Sequence, residues 1–354
     1  MFKTLKAILR SDRTAAAVRE IEKNTSQLKK ATDKLVTQGK TLADKQSADH
    51  QALTALKAHG HLLSKEIQSL KVLCGNLAAQ RARSLPAGSS LRDAELQVFS
   101  QWGEDGIIQY LLSHVPIEHE IFVEFGVESY QEANTRFLLL NNYWSGLIID
   151  GSEEHMAAVT NSDLAWRHTL HARSAWITAE NINDIIRSAG ISGDIGLLSV
   201  DIDGVDYWVW KAINVVQPRI VIAEYNSLYG PKAKVTPAYD ATFERGKAHF
   251  SHVFYGASLA ALDHLAQEKG YRLVGTNSAG NNAFFIRADL APALPTVTPE
   301  QSFQPARFRE ARLASGELAF HTFDDARRLI QDCVVHDLTA GADCSLKDAV
   351  GWDL

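Results

Sequence analysis

The sequence predicts an α/β protein: a mostly parallel sheet with a closing antiparallel hairpin, preceded by a long α-helical coiled coil. Three observations carry this expectation. Two apolar runs end in an acid and a glycine, Ile121-Phe122-Val123-Glu124-Phe125-Gly126 and Leu147-Ile148-Ile149-Asp150-Gly151-Ser152. Such runs read as buried parallel strands entering ligand-binding turns. From about residue 91 strand-like and helix-like segments alternate, and the last two strands are joined by a stretch too short for a crossover helix. Third, every seventh residue from Ile21 gives Leu28, Leu35, Leu42, Asp49, Leu56, Leu63, Leu70 and Leu77, so eight of nine positions are Leu or Ile. That is the d ladder of a coiled coil.

The matching a positions are Val18, Thr25, Thr32, Gly39, Gln46, Leu53, Gly60, Ile67 and Cys74. They are small or polar in the first half and more apolar in the second, a pattern that lowers stability but fixes register. A helix from Val18 to Leu77 is about 90 Å long at the α-helical rise. Its plain role is self-association; its sharper role is to space the body from a membrane or partner. Pro86, Gly88, Ser89 and Ser90 then mark a linker. Strands are expected near 121–126, 146–150, 167–171, 196–201, 219–224, 271–275 and 282–287, with helices near 134–142, 153–160, 178–189, 206–214 and 258–269. The expected organisation is a coiled-coil helix over 1–83, a linker over 84–95, a body over 96–290, and a tail over 291–354 with a helix near 323–333 and no assigned role.

Net charge is −6, but residues 1–83 carry +9 and the remainder −15. A basic head on an acidic body suggests an anionic partner for the head; the plain alternative is a solvated helical face. Phe2, Leu5, Ile8 and Leu9 fall near one helical face, a weak interfacial pattern or an oligomer-packed end. Met1–Arg13 is too interrupted by charge for a signal peptide, and no stretch reaches the length of a membrane span. Cys74, Cys333 and Cys344 match no zinc or redox spacing. A reducing cytoplasm is therefore expected, with peripheral contact at the inner face of the membrane as the role of the head.

In an open parallel sheet, ligands bind beyond the carboxyl ends of the strands. Those ends offer Glu124 and Gly126, then Asp150, Gly151 and Ser152, then Asp201 and Asp203, then Glu224 and Asn226. Asp150 lies 24 residues after Gly126, close to the spacing that puts a carboxylate on a ribose. The glycines that let a backbone approach a pyrophosphate are missing after Gly126, and Glu128 stands there instead. A ribose without a phosphate points to S-adenosylmethionine and away from a nicotinamide dinucleotide. Asp150 is then the ribose partner, its alternative being the cap of the helix at Glu153. Asn134 and Thr135 open a crossover helix where a carboxylate would sit, or serve as an ordinary cap. Glu124 is expected to face the ligand's amino group.

Asp201 and Asp203 project to one side of an extended chain. With Glu224 and Asn226 they form a candidate hard-oxygen site for Mg²⁺, which would orient and acidify a hydroxyl. The alternatives are that Asp201 contacts the ligand directly while Asp206 caps the next helix, or that Asp203 is a general base without metal. Segment 227–257 is long and aperiodic, and its His249 and His252 are candidate bases or ordinary structural histidines.

Taken together, Ser100-Gln101-Trp102-Gly103-Glu104-Asp105-Gly106, Phe122 to Gly126, Asn134-Thr135-Arg136, Ile149 to Ser152 and Asp201-Ile202-Asp203-Gly204 resemble the FkbM-like methyltransferases. Thr178 to Asn183, Glu224-Tyr225-Asn226 and Asn277 to Asn282 resemble a largely uncharacterised bacterial branch of them. The resemblance covers about residues 96–290 and neither the coil nor the tail. It implies a Rossmann-like class I fold, O-methylation from S-adenosylmethionine, Gln101 among the cofactor contacts, and acceptors such as sugars of surface glycans or their lipid-linked precursors. The alternative is a methyltransferase-like scaffold that has kept the fold without catalysis. Nucleic acid is not an expected substrate, because an acidic body repels a phosphate backbone.

Overall fold

The computed structural model describes residues 12–307 and 310–352; Phe2, Leu5, Ile8 and Leu9 lie outside the described residues. The chain divides between Leu70 and Lys71 into two compact units. The first belongs to a continuous helix, α1 (Asp12–Ser84). Its d-ladder leucines are solvent-exposed within the single chain. Thr25, Thr32 and Thr54 return their hydroxyls to the carbonyls four residues back, which keeps these polar side chains compatible with a helix.

The second unit is built on a seven-stranded sheet. Its strands are β1 (Ile121–Phe125), β2 (Ser145–Asp150), β3 (Leu170–Ser174), β4 (Gly193–Val200), β5 (Val216–Glu224), β7 (Tyr271–Thr276) and β8 (Asn282–Arg287). A short strand, β6 (Val235–Pro237), lies outside this sheet. The spatial order is β3-β2-β1-β4-β5-β8-β7. The first five strands run parallel, and β8 is antiparallel to both its neighbours. This is the expected Rossmann-like fold, a mostly parallel sheet with a closing antiparallel hairpin. One apolar core fills each face of the sheet, so the strands read as near-continuous hydrophobic runs.

Two expectations are corrected. The third strand begins at Leu170 rather than near 167, because Ser162 accepts the Leu164 N–H and starts a short helix, Asp163–Arg167. The segment from 291 is not an appendage. Its strands β9 (Val334–Asp337) and β10 (Ala342–Ser345) join β6 in an antiparallel sheet ordered β10-β9-β6. The core beneath combines Leu228, Tyr229, Val235, Val253 and Phe254 with Ala326, Ile330, Val335 and Leu346. The aperiodic segment 227–257 therefore gains its order from pairing about 100 residues away, which no local pattern reports.

Ile330 is fully buried in this shared core. Ile330→Ala is expected to lower unfolding stability by about 2–5 kcal/mol in urea denaturation. A loss under 1 kcal/mol would mean that the C-terminal segment is not part of the cooperative body.

Candidate functional site

A cleft of about 220 Å³ opens at the carboxyl ends of β1, β2 and β4. Gly126, Asp150, Gly151, Trp176, Asp201 and Asp203 are among its lining residues, and Phe243 comes to it from the β6 side of the fold. Gly126 is required by geometry. Its φ is 67°, and a Cβ there would lie 1.8 Å from the Asp201 carbonyl oxygen. The β1 and β4 turns thus touch backbone to backbone, as only glycine permits.

Asp150 ties the β2 end to the β1 turn. One carboxylate oxygen accepts the Glu128 N–H at 2.7 Å and the other the Ser152 N–H at 2.8 Å. Each oxygen keeps lone-pair capacity toward the cleft, since an ionised carboxylate offers about four acceptor sites. Ser152 caps the following helix, Glu153–Thr160, by accepting the His155 N–H. Beside Asp150, Ala175, Trp176 and Ile177 form an apolar wall. The Trp176 indole N–H donates to the Ala241 carbonyl at 2.8 Å.

Four expected ligand contacts lie elsewhere. Glu124 is buried, and its carboxylate accepts the Asn134 N–H at 2.8 Å, the Thr135 N–H at 3.0 Å and the Thr135 hydroxyl. Asn134 and Thr135 therefore spend their backbone donors on Glu124. The Asn134 amide goes to Ser199 Oγ and the Thr135 hydroxyl also meets Tyr130. Gln101 is not among the cleft-lining residues; its side-chain oxygen accepts the Trp102 indole N–H. The motif around it is a structural lock. Glu104 accepts the amides of Asn277 and Asn282 at 2.7 and 2.9 Å, and Asp105 accepts three consecutive backbone N–H groups from Val98 to Ser100. Two of the motifs that carry the resemblance thus hold each other across 173 residues.

The acidic edge is more concentrated than the strand ends suggest. Asp201, Asp203 and Glu224 offer carboxylate oxygens all within 4.8 Å of one another. Asp206 shapes the turn by accepting the Ile202 and Gly204 N–H groups at 2.7 and 2.9 Å, and Asp203 takes a φ of 54°. Burial, and then repulsion from neighbouring carboxylates, holds Asp201 and Glu224 well above the usual carboxylate range. Their carboxylates stand within 4.8 Å of each other, and the charge of Asp201 disfavours ionisation of Glu224. Glu224 is 8% exposed, yet its Oε2 has no hydrogen-bond partner among the described residues. The cation facing the group is Arg245, whose Nη1 lies 2.6 Å from Asp203 Oδ1. Arg245 is itself held by the His252 carbonyl and lies 4.4 Å from the Tyr255 ring centroid.

Asn226 does not join this group. Its oxygen accepts the Leu228 N–H at 3.0 Å and its amide donates to the Val253 and Tyr255 carbonyls, so it caps the short 3₁₀ turn Ser227–Tyr229. His249 and His252 are not among the lining residues either. The His249 ring pairs with Ser251 Oγ, and burial pushes its pKa down. His252 contributes its backbone carbonyl to Arg245. Of the three expected catalytic groups, Asp203 lines the cleft.

Sequence reasoning missed Trp176, Phe243 and the Arg245 ion pair. Trp176 was within reach of the strand-end rule, since it follows the true end of β3 by two residues. The three-residue error in that strand hid it. Arg245 and Phe243 come from the segment ordered by tertiary pairing and carry no local signal.

No protein-family model and no curated protein matches the chain. Solved structures do. An S-adenosylmethionine-dependent methyltransferase from Clostridium acetobutylicum ATCC 824 is 11% identical over 48% of this chain and 85% of its own, with a TM-score of 0.31. An O-methyltransferase from Bacillus cereus in complex with SAH is 15% identical over 47% and 72%, with a TM-score of 0.31. The CurJ carbon methyltransferase is 11% identical over 53% and 52%, with a TM-score of 0.34.

Burial raises the Glu124 carboxyl from 4.5 to about 7. A carboxyl that holds its proton more tightly when folded makes stability fall as pH climbs between those two values, by about 3 kcal/mol for this shift. Glu124→Gln is expected to flatten that part of the pH–stability curve, measured by urea denaturation from pH 4 to 8. An unchanged slope would show that Glu124 ionises freely in the folded protein.

Proposed function

We propose that this chain is an S-adenosylmethionine-dependent O-methyltransferase that methylates a sugar hydroxyl of a surface glycan or its lipid-linked precursor. The observation that carries the reading is Asp150, at the end of β2 and against an apolar wall, in a cleft without phosphate-binding glycines. A carboxylate beside Trp176 and Ile177 suits a ribose joined to a purine. The fold and the FkbM-like motifs support methyl transfer. The sugar acceptor rests on the FkbM-like resemblance.

In this reading Asp150 holds the ribose hydroxyls, Gly126 and Gly151 let the cofactor approach the backbone, and the buried carboxylates favour its sulfonium. Asp203 takes the proton from the acceptor hydroxyl as the oxygen attacks the methyl carbon. Arg245 holds the Asp203 carboxylate in place. The donor set also fits a hard divalent cation: Asp201, Asp203 and Glu224 would hold Mg²⁺, and the unpartnered Glu224 oxygen is what such an ion would satisfy. Bound there, Mg²⁺ would acidify the acceptor hydroxyl. The basic head, net +9 over residues 1–83, suits an anionic membrane surface where lipid-linked sugars are built.

One observation favours the alternative, a methyltransferase-like scaffold: Glu124, Asn134 and Thr135 are consumed by one another. Calorimetric titration with S-adenosylmethionine separates the two readings from a chain that binds no cofactor. Binding is expected, weakened about tenfold to a hundredfold in Asp150→Ala; absence of binding by folded protein removes the proposal. Asp203→Asn is expected to lower kcat by about a hundredfold or more while leaving cofactor affinity nearly unchanged. Binding without turnover on any glycan acceptor would instead support the scaffold. If turnover in the native enzyme survives chelation, the Mg²⁺ assignment fails. Deleting residues 1–70, which leaves the second unit intact, is expected to release the protein from membrane fractions, and unchanged partitioning would contradict the membrane role.

A further inference from the structure

The apolar ladder of α1 is left uncovered by the chain that carries it. Ile21, Leu28, Leu35, Leu42, Leu56 and Leu70 are each 59–68% exposed. The last turns of α1, from Lys71 onward, show which face the body uses. Val72, Gly75, Ala79 and Ala82 are the positions drawn against it. A Cβ on Gly75 would lie 2.8 Å from Val98 and 2.9 Å from Phe137, so the approach there is close. In the register of the ladder these four residues occupy f, b, f and b. Cys74 at a and Leu77 at d stay exposed beside them. The body therefore docks on the face opposite the seam.

We propose that the seam is covered by a second copy of this chain, in a parallel and in-register coiled coil from Val18 to Leu77. The ladder itself argues for a like helix. A globular partner has no reason to demand a strict seven-residue repeat sustained over nine positions, whereas a supercoiled helix does. Charge argues for the orientation. Asp49 is the one acid in the ladder, with Lys45 at the preceding g position and His50 at the following e position. Parallel pairing brings Lys45 of one copy and His50 of the other beside the Asp49 layer, giving a compensated polar layer that fixes register. From Lys71 to Ala82 the docked b and f positions leave Cys74 and Leu77 free for pairing.

Sedimentation equilibrium of the full chain, at 39.0 kDa per copy, tests the assembly. A mass of at least two copies is expected. In the double variant Leu56→Asp/Leu63→Asp it should fall to one copy, with the thermal transition of the body unchanged. Both leucines are exposed in the single chain, so the variant removes the seam without touching the body's core. Oxidation with diamide tests the orientation. Parallel pairing places the two Cys74 thiols in one a layer, and a disulfide-linked dimer that Cys74→Ser abolishes is expected on a non-reducing gel. A native mass of one copy, an assembly that survives the double variant, or no Cys74-dependent cross-link would each overturn the proposal.

Discussion

The structure depends on how it handles carboxylates taken out of water. Burying an ionised carboxylate costs several kcal/mol unless hydrogen bonds or a cation compensate it. The chain meets this constraint in two ways. Glu104, Asp105 and Glu124 are surrounded by donors from the protein itself: Asn277 and Asn282, a run of backbone N–H groups, and the turn at Asn134–Thr135. These networks weld the segment before β1 to the closing hairpin and hold the first crossover helix on the sheet. Asp201 and Glu224 are not so provided for. They are crowded together, repel their neighbours, and meet a guanidinium through Asp203. An edge left in that state is one that a cationic ligand stabilises.

Function follows from this division. Internally satisfied carboxylates are mechanical parts, and their motif-like appearance in the sequence reports folding. The undersatisfied group lies at the end of β4 and β5, where an open parallel sheet receives its ligands. The β1 turn brings Gly126 against the Asp201 backbone, and the β6 side contributes Phe243 and Arg245. The segment that follows β6 thus supplies one wall of the cleft and its cation.

The sheet was legible because its strands are apolar runs with acid and glycine stops. The order of elements, the hairpin and most boundaries follow from periodicity and turn residues. That Asp150, Gly151, Asp201 and Asp203 would line one cleft was legible because parallel strand ends converge on one edge. Glu124 was misread for a physical reason. A strand-end acid looks the same whether it turns outward to a ligand or back to cap the next helix, and the choice is made by Asn134 and Thr135 in three dimensions. Asn226 was misread likewise, its amide being claimed by Val253 and Tyr255. The tail's helix near 323–333 was legible, as Phe323–Ile330, but β9 and β10, like β6, are short and mean nothing until paired. Arg245 was opaque for the same cause.

The proposed function requires the acidic edge to favour the sulfonium of S-adenosylmethionine. Thermal melting with saturating S-adenosylmethionine, against S-adenosylhomocysteine, across pH 5 to 8, tests it most directly. The two ligands differ by the methyl group and the sulfonium charge. As pH rises the edge carboxylates ionise and their mutual repulsion grows, so the charged ligand should stabilise the protein increasingly over the neutral one. The account predicts a melting-temperature advantage for S-adenosylmethionine that widens with pH. An advantage absent at every pH, or equal at pH 5 and 8, would contradict it.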